Sequence, residues 1–193
     1  MRLFHSVQND IKVTILITPY YMKTALLSLA FFSLCTTAMP QKVDNSTITS
    51  FDLNRYLGKW YEIARYDHSF ERGLVGSTAM YTLRDDGKIK VLNSGYLNTL
   101  DGPYKESVGK AKVRKNGLPG QLEVSFFGPF YADYDILELA PDYSYSVVGS
   151  STPKYLWILS RTPQLNTATK EKILVNLRQR GYDTSKLIWV EQR

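Results

Sequence analysis

Few residues of this chain can do covalent or metal chemistry. Its 193 residues include two histidines and one cysteine. His5 and Cys35 fall in an N-terminal leader, which leaves His68 and no thiol nucleophile in the remainder. A zinc or haem centre draws on several His or Cys ligands, so neither a metal nor another cofactor is expected. Hydrolysis would need Ser77 beside a histidine, and His68 falls in a loop rather than next to Ser77 on an inward face. No catalytic residue is therefore assigned. What stands out is a structural pairing. Gly58-Lys59-Trp60-Tyr61-Glu62 opens the folded part of the chain, and Arg161 ends the run Tyr155-Leu156-Trp157-Ile158-Leu159-Ser160. A glycine turn feeding a buried tryptophan, met by an arginine returning from a last strand, can plug the bottom of a closed β-barrel. Barrels of this size hold one small apolar ligand.

The elements that must position this pair are short runs of alternating apolar residues separated by turn signals. A helical turn over 51–57 leads in. Strands are expected at 60–66, 75–83, 89–96, 105–114, 121–127, 133–139, 143–148 and 155–160, with tight turns at Asp85-Asp86-Gly87, Asn116-Gly117 with Pro119-Gly120, and Pro141-Asp142. A helix over 167–180 follows, capped by Asn166 or Thr167, with Ile173, Leu174 and Leu177 on one face and Gly181 at its end. A last strand at 187–190 can pair back onto the first. The expected fold is all-β: an eight-stranded antiparallel up-and-down barrel with one C-terminal helix and a short final strand. Followed up and down from Trp60, the tight turns gather at one end. The longer connections 67–74, 97–104, 128–132 and 149–154 surround the other, which makes a closed floor and an open mouth.

The N-terminus reads as an address. Met22-Lys23, the apolar run Ala25-Leu26-Leu27-Ser28-Leu29-Ala30-Phe31-Phe32 and the small residues Thr36-Thr37-Ala38 follow the order of a secretory signal. Residues 1–38 are thus a leader, with translation expected from Met22. Cleavage after Ala38 releases a soluble protein; alternatively Cys35 carries a lipid anchor. Residues 39–50 read as a polar tether, with a glycosylation sequon at Asn45-Ser46-Thr47, and 51–193 as one domain. The formal net charge is +6, spread between interspersed acids with no basic run among aromatics, so nucleic acid is excluded as a partner.

Gly58-x-Trp60, the Asp142-Tyr143-x-Tyr145 turn and Arg161 resemble the three signature blocks of the lipocalins. Trp60-Tyr61-Glu62-Ile63-Ala64-Arg65, Phe70-Glu71-Arg72-Gly73-Leu74, Ser125-Phe126-Phe127-Gly128-Pro129-Phe130-Tyr131 and Tyr155 through Pro163 are similar to the bacterial outer-membrane lipocalins. Plant temperature-induced lipocalins and apolipoprotein D are more distant in resemblance. The likeness covers 51–193. It departs at Pro141-Asp142-Tyr143, where many lipocalins have Thr-Asp-Tyr. It implies a ligand calyx whose closed-end motif is Gly58, Trp60, Asp142, Tyr143 and Arg161. It also implies a fatty acid or lysophospholipid as ligand, in service of the cell envelope. The protein is then exported, on the periplasmic side of the outer membrane if Cys35 is lipidated and otherwise soluble in the periplasm or secreted.

Side chains alternate in and out along a strand. With Trp60 inward, the cup is expected to be lined by Glu62 and Ala64, by Ser77, Ala79 and Tyr81, by Val91 and Asn93, and by Ala111 and Val113. Leu122, Val124 and Phe126, then Tyr134 and Ile136, then Tyr155, Trp157 and Leu159 complete it. Small residues leave volume and aromatics supply an apolar wall. Glu62 is either a ligand head-group contact or a structural partner for a Tyr or Arg near the plug. Arg65, Arg72, Lys105 and Lys154 stand near the mouth, where they can attract an anionic head. The expected function is non-catalytic binding and carriage of a small lipid, as a monomer or homodimer. Two alternatives stand beside it: a lipocalin-fold enzyme acting on a lipid, and a partner-binding module using Phe70, Leu74, Phe130 or Tyr131 at the mouth.

Overall fold

The structure, a computed structural model, describes residues 42–193. The leader, including Cys35, lies outside the described residues. Nine antiparallel strands form one sheet: β1 (Gly58–Arg65), β2 (Leu74–Leu83), β3 (Ile89–Leu97), β4 (Tyr104–Val113), β5 (Gln121–Phe127), β6 (Phe130–Leu139), β7 (Tyr145–Gly149), β8 (Leu156–Ser160) and β9 (Ile188–Trp189). Each of β2 to β8 pairs with its neighbour in sequence, and β1 pairs with both β8 and β2, which closes an eight-stranded barrel. Among the described residues two α-helices accompany it, α1 (Leu53–Tyr56) and α2 (Thr167–Gln179). The expected architecture is therefore the observed one.

Two apolar clusters divide the molecule. One fills the barrel, with Tyr56, Trp60, Ala79, Tyr81, Ile89 and Val91 among its members. The other lies between the outer face of β1, β6, β7 and β8 and the helix α2, through Ile63, Val147, Ile158, Ile173 and Leu177. Asn166 caps α2 by accepting the Thr169 amide at 2.8 Å, as its sequence position implied.

The floor is built as the spacing of Trp60 and Arg161 suggested. Asp52 caps α1, and the helix carries Tyr56 up into the barrel. The Trp60 indole donates to the Tyr56 carbonyl at 2.8 Å. Arg161 lies over the Trp60 ring at 3.8 Å from its centroid. Its guanidinium also donates to the carbonyls of Arg55, Leu57 and Lys59. Those of Arg55 and Leu57 are free carbonyls at the C-terminal end of α1, and that of Lys59 belongs to the start of β1. Gly58 has φ +92, and a Cβ there would stand 3.4 Å from the Arg161 guanidinium, so the motif needs glycine for its backbone. Tyr143 accepts the Asp52 amide on its hydroxyl at 2.8 Å and stacks under Arg55.

Three expectations change. Residues 42–50, expected as part of a tether, pack on the barrel. Val43 and Ile48 join the two apolar clusters. The Ile48 amide donates to the Ile136 carbonyl, and Arg180 donates to the carbonyls of Ser46 and Leu137. The segment is polar in composition, but its two aliphatic residues find apolar ground. Asn45, the sequon residue, is engaged on both side-chain atoms, by Ser151 and Tyr182. The 128–132 connection is no long loop: Phe127 pairs with Phe130, so β5 and β6 meet in a tight turn at Gly128-Pro129. Finally β7 begins at Tyr145, because Tyr143 takes φ 62 and the Asp142 carboxylate accepts the Ser144 amide, which keeps both residues in the turn.

Candidate functional site

Inside the barrel the lower half is full. Leu53, Tyr56, Tyr81, Ile89, Ala111, Leu122, Val124 and Tyr134 enclose a void of about 10 Å³, room for about one water. The hydroxyls of Tyr56 and Tyr81 each meet that of Tyr134, at 2.8 and 3.0 Å, and Tyr56 also donates to Ser146 at 3.2 Å. Burial pushes the Tyr56 hydroxyl up to about 12 and raises Tyr81 and Tyr134 as well, so the three stay neutral and mutually bonded.

Above these tyrosines the interior is open. Asn93, Val124, Phe126, Tyr134 and Trp157 are only half-buried, although the four apolar residues among them pack on the interior cluster. A side chain that faces inward and still meets solvent must line accessible space. Ser77, Ala79, Gly95 and Gly109 contribute little or no side chain at this level. The sequence-predicted lining residues Glu62, Ser77, Ala79, Tyr81, Val91, Asn93, Ala111, Val124, Phe126, Tyr134, Ile136 and Trp157 thus sit on the strands and in the phase expected.

Ala64 does not. Glu62 opposes Leu159 while Ala64 opposes Ile158, so β1 carries a bulge between them. One extra residue inverts the phase: Ala64 joins the outer cluster under α2, and Arg65, read as a cation near the mouth, turns inward and is buried opposite Trp157. Tyr155 is 37% exposed and forms the rim, stacked on Trp157 with centroids 6.0 Å apart. Val113, at the end of β4 and paired with Leu122, is exposed. Arg72 is paired with Asp67 at 2.6 Å on the surface.

Glu62 finds the arginine partner that one of its two readings named. Arg65 Nη1 stands 2.5 Å from its carboxylate, and Nη2 donates to the carbonyls of Glu71 and Leu74. Glu71 reaches in from the 67–74 loop; its carboxylate accepts the Trp157 indole N–H at 3.0 Å and lies 3.1 Å from His68 Nε2. His68 is buried and stacks on Phe70 at 4.0 Å. The loop is therefore folded into the mouth by buried polar contacts. Burial pushes the Glu62 carboxyl up to about 8, helped by the nearby Glu71 and opposed by Arg65. The enclosed Ser77 Oγ and Asn93 Oδ1 have no protein partner; each such group costs about 1–3 kcal/mol. Ser77 also lacks the hydrogen bond to a histidine that a hydrolytic site requires. Among the described residues, no group of three or more His, Cys, Asp or Glu is placed to hold a metal.

Sequence reasoning missed Tyr56, Glu71 and Gln192. Tyr56 was findable, since Leu53, Tyr56 and Leu57 share one helical face. Glu71 lies in an irregular loop with no period to reveal it. Gln192 seals a seam in the wall. The ladder between β1 and β2 ends at the pair Tyr61 and Thr78. Beyond it β9 takes over the edge of β1, and Gln192 Nε2 donates to the carbonyls of Glu62 and Ser77 at 2.7 and 3.0 Å. A groove of about 240 Å³ runs outside this seam, bounded by Arg65, Arg72, Leu74, Asn98 and Trp189.

The lipocalin-like domain family matches residues 51–192. An outer membrane lipoprotein, Blc, of Vibrio cholerae is 48% identical over 156 residues, covering 80% of this chain and 90% of the relative. Temperature-induced lipocalin-1 of Arabidopsis thaliana is 34% identical over 157 residues, covering 77% and 83%. Among solved structures, insecticyanin of the tobacco hornworm Manduca sexta superposes with a TM-score of 0.62 at 23% identity, over 78% of this chain and 85% of that one, which speaks to the fold.

Proposed function

Because the chain belongs to the lipocalin family, whose members bind small hydrophobic ligands, we propose that it binds and carries a single-chain acyl lipid, a fatty acid or lysophospholipid, outside the cytoplasm. The observation that carries this reading is the division of the barrel interior: a floor sealed by Trp60, Arg161 and the tyrosines, and above it an inward wall still open to solvent at Phe126 and Trp157. Such a wall gains about 0.8 kcal/mol for each lipid methylene it removes from water. The residues assigned to the contact are Glu62, Ser77, Asn93, Phe126 and Trp157, with Val124 and Tyr134 at the foot of the open space; Ala79, Tyr81, Val91, Ala111 and Ile136 pack in the cluster beneath. Relatives described as outer membrane lipoproteins support a place in the cell envelope; Cys35 is the anchoring residue if the chain is lipidated, and cleavage after Ala38 leaves it soluble.

Tryptophan fluorescence tests the proposal. Titration with an acyl lipid is expected to saturate at about one lipid per chain, with the signal arising from Trp157. Trp157→Phe removes most of the change while a displacement assay still registers binding. A titration that never saturates, or a signal that survives Trp157→Phe unaltered, would remove the cup as the binding place.

A further inference from the structure

We propose that the β1–β2–β3 wall of the cup, at Glu62, Ser77 and Asn93, is a polar subsite that takes an uncharged, hydroxyl-bearing lipid head, such as a glycerol monoester, in preference to a free carboxylate. This rests on the acyl-lipid reading and narrows its head-group class. Ser77 is 5% exposed, and its hydroxyl has no protein partner, nor does Asn93 Oδ1. Buried polar atoms are partnered as a rule, and here two orphans occupy adjoining positions. Asn93 pairs with Ala79, two residues along β2 from Ser77 and on the same face. Glu62 adjoins them, since one Gln192 amide nitrogen bonds the carbonyls of both Glu62 and Ser77.

The wall beside the orphans is bare. A Cβ on Gly95 would stand 3.2 Å from Ser77 Oγ, and a Cβ on Gly109 would stand 2.8 Å from the Phe126 ring. Glycine at the first position leaves the serine hydroxyl uncovered. Glycine at the second lets the Phe126 ring lie against the β4 backbone.

Hydrogen-bond matching sets the class of head. Glu62 and Glu71 are both enclosed, with one guanidinium, Arg65, whose two Nη atoms are already committed to Glu62, Glu71 and Leu74. His68 Nε2 lies 3.1 Å from the Glu71 carboxylate, although neither His68 nitrogen nor Arg65 Nε makes a hydrogen bond. A carboxylate head is acceptor-only and leaves Asn93 Oδ1 without the donor it lacks. A hydroxyl suits this wall, because it donates to Asn93 Oδ1 or Glu62 and accepts from Ser77.

The test compares chain-matched palmitoyl glycerol, palmitate and hexadecylamine on the purified exported protein at pH 7, by displacement titration. Palmitoyl glycerol is expected to bind about tenfold more tightly than palmitate. Ser77→Ala with Asn93→Leu is expected to abolish that difference, with the glycerol ester weakened more than palmitate. Both replacements remove unpartnered polar atoms, so thermal stability is expected to hold; Ser77→Ala alone repeats the test should the pair fail to fold. Equal binding of ester and palmitate by the wild type, or an ester preference that the variants leave intact, overturns the subsite. So does a preference for the amine that Glu62→Gln removes, which would mark recognition of charge instead. Binding of none of the three lipids would instead remove the carrier reading itself.

Discussion

Arg161 and Glu62 show how a single residue can be decided by its surroundings. Arg161 joins the Trp60 ring to several carbonyls around the end of α1, so Arg161→Ala is expected to cost about 3 kcal/mol through lost charged hydrogen bonds and the cation–π contact. Chemical denaturation measures it, and the order of lipid preference should not change. Glu62 behaves differently because its proton is at stake. Its carboxyl rises from 4.5 to about 8, chiefly through burial, among Glu71, Arg65 and the neighbouring His68. Between those values the folded protein holds a proton that the unfolded chain has lost, so stability falls as pH rises through that window. Melting temperatures across pH 4 to 9 should show this decline in the wild type and a flatter profile in Glu62→Gln; parallel profiles would contradict it. The sequence marked Glu62 as odd from its inward phase. Its environment was not legible, because Arg65 reaches it only through the bulge after Glu62, and nothing in the local pattern announces a bulge.

At the level of elements, alternation and turn chemistry placed all nine strands and both helices within a few residues. The misses have local causes. The β5–β6 turn was read as long because Gly128-Pro129 precedes three residues that look like loop but continue the ladder. The segment 42–50 was read as tether because its composition is polar, while Val43 and Ile48 supply the docking. The C-terminal strand was foreseen, its task was not. It occupies the upper edge of β1 where β2 has parted, and Gly76 donates its amide to the Glu191 carbonyl beside the Gln192 bridge. Gln192→Ala is therefore expected to raise amide exchange around Gly76 and Ser77 by several-fold, leaving Trp60 and the floor protected. Uniform exchange across the barrel would deny the strand this local sealing role.

At the level of the whole molecule, the fold separates stability from binding. The floor, α2 and the docked N-terminal segment hold the barrel, and the wall above the tyrosines is left open. The closed end was legible because its motif needs particular residues at particular positions. The lining was legible strand by strand because a barrel has two faces and a period of two. The polar mouth was the least legible, since Glu71 and His68 come from a loop and meet Trp157 only in three dimensions. The account stands on the cup being a lipid site, and native mass spectrometry with solvent extraction of the exported protein addresses that directly. It predicts one acyl lipid per chain, released on denaturation and lost first from variants of the upper wall. An empty protein that also takes up no fatty acid, lysophospholipid or glycerol monoester on titration would contradict it.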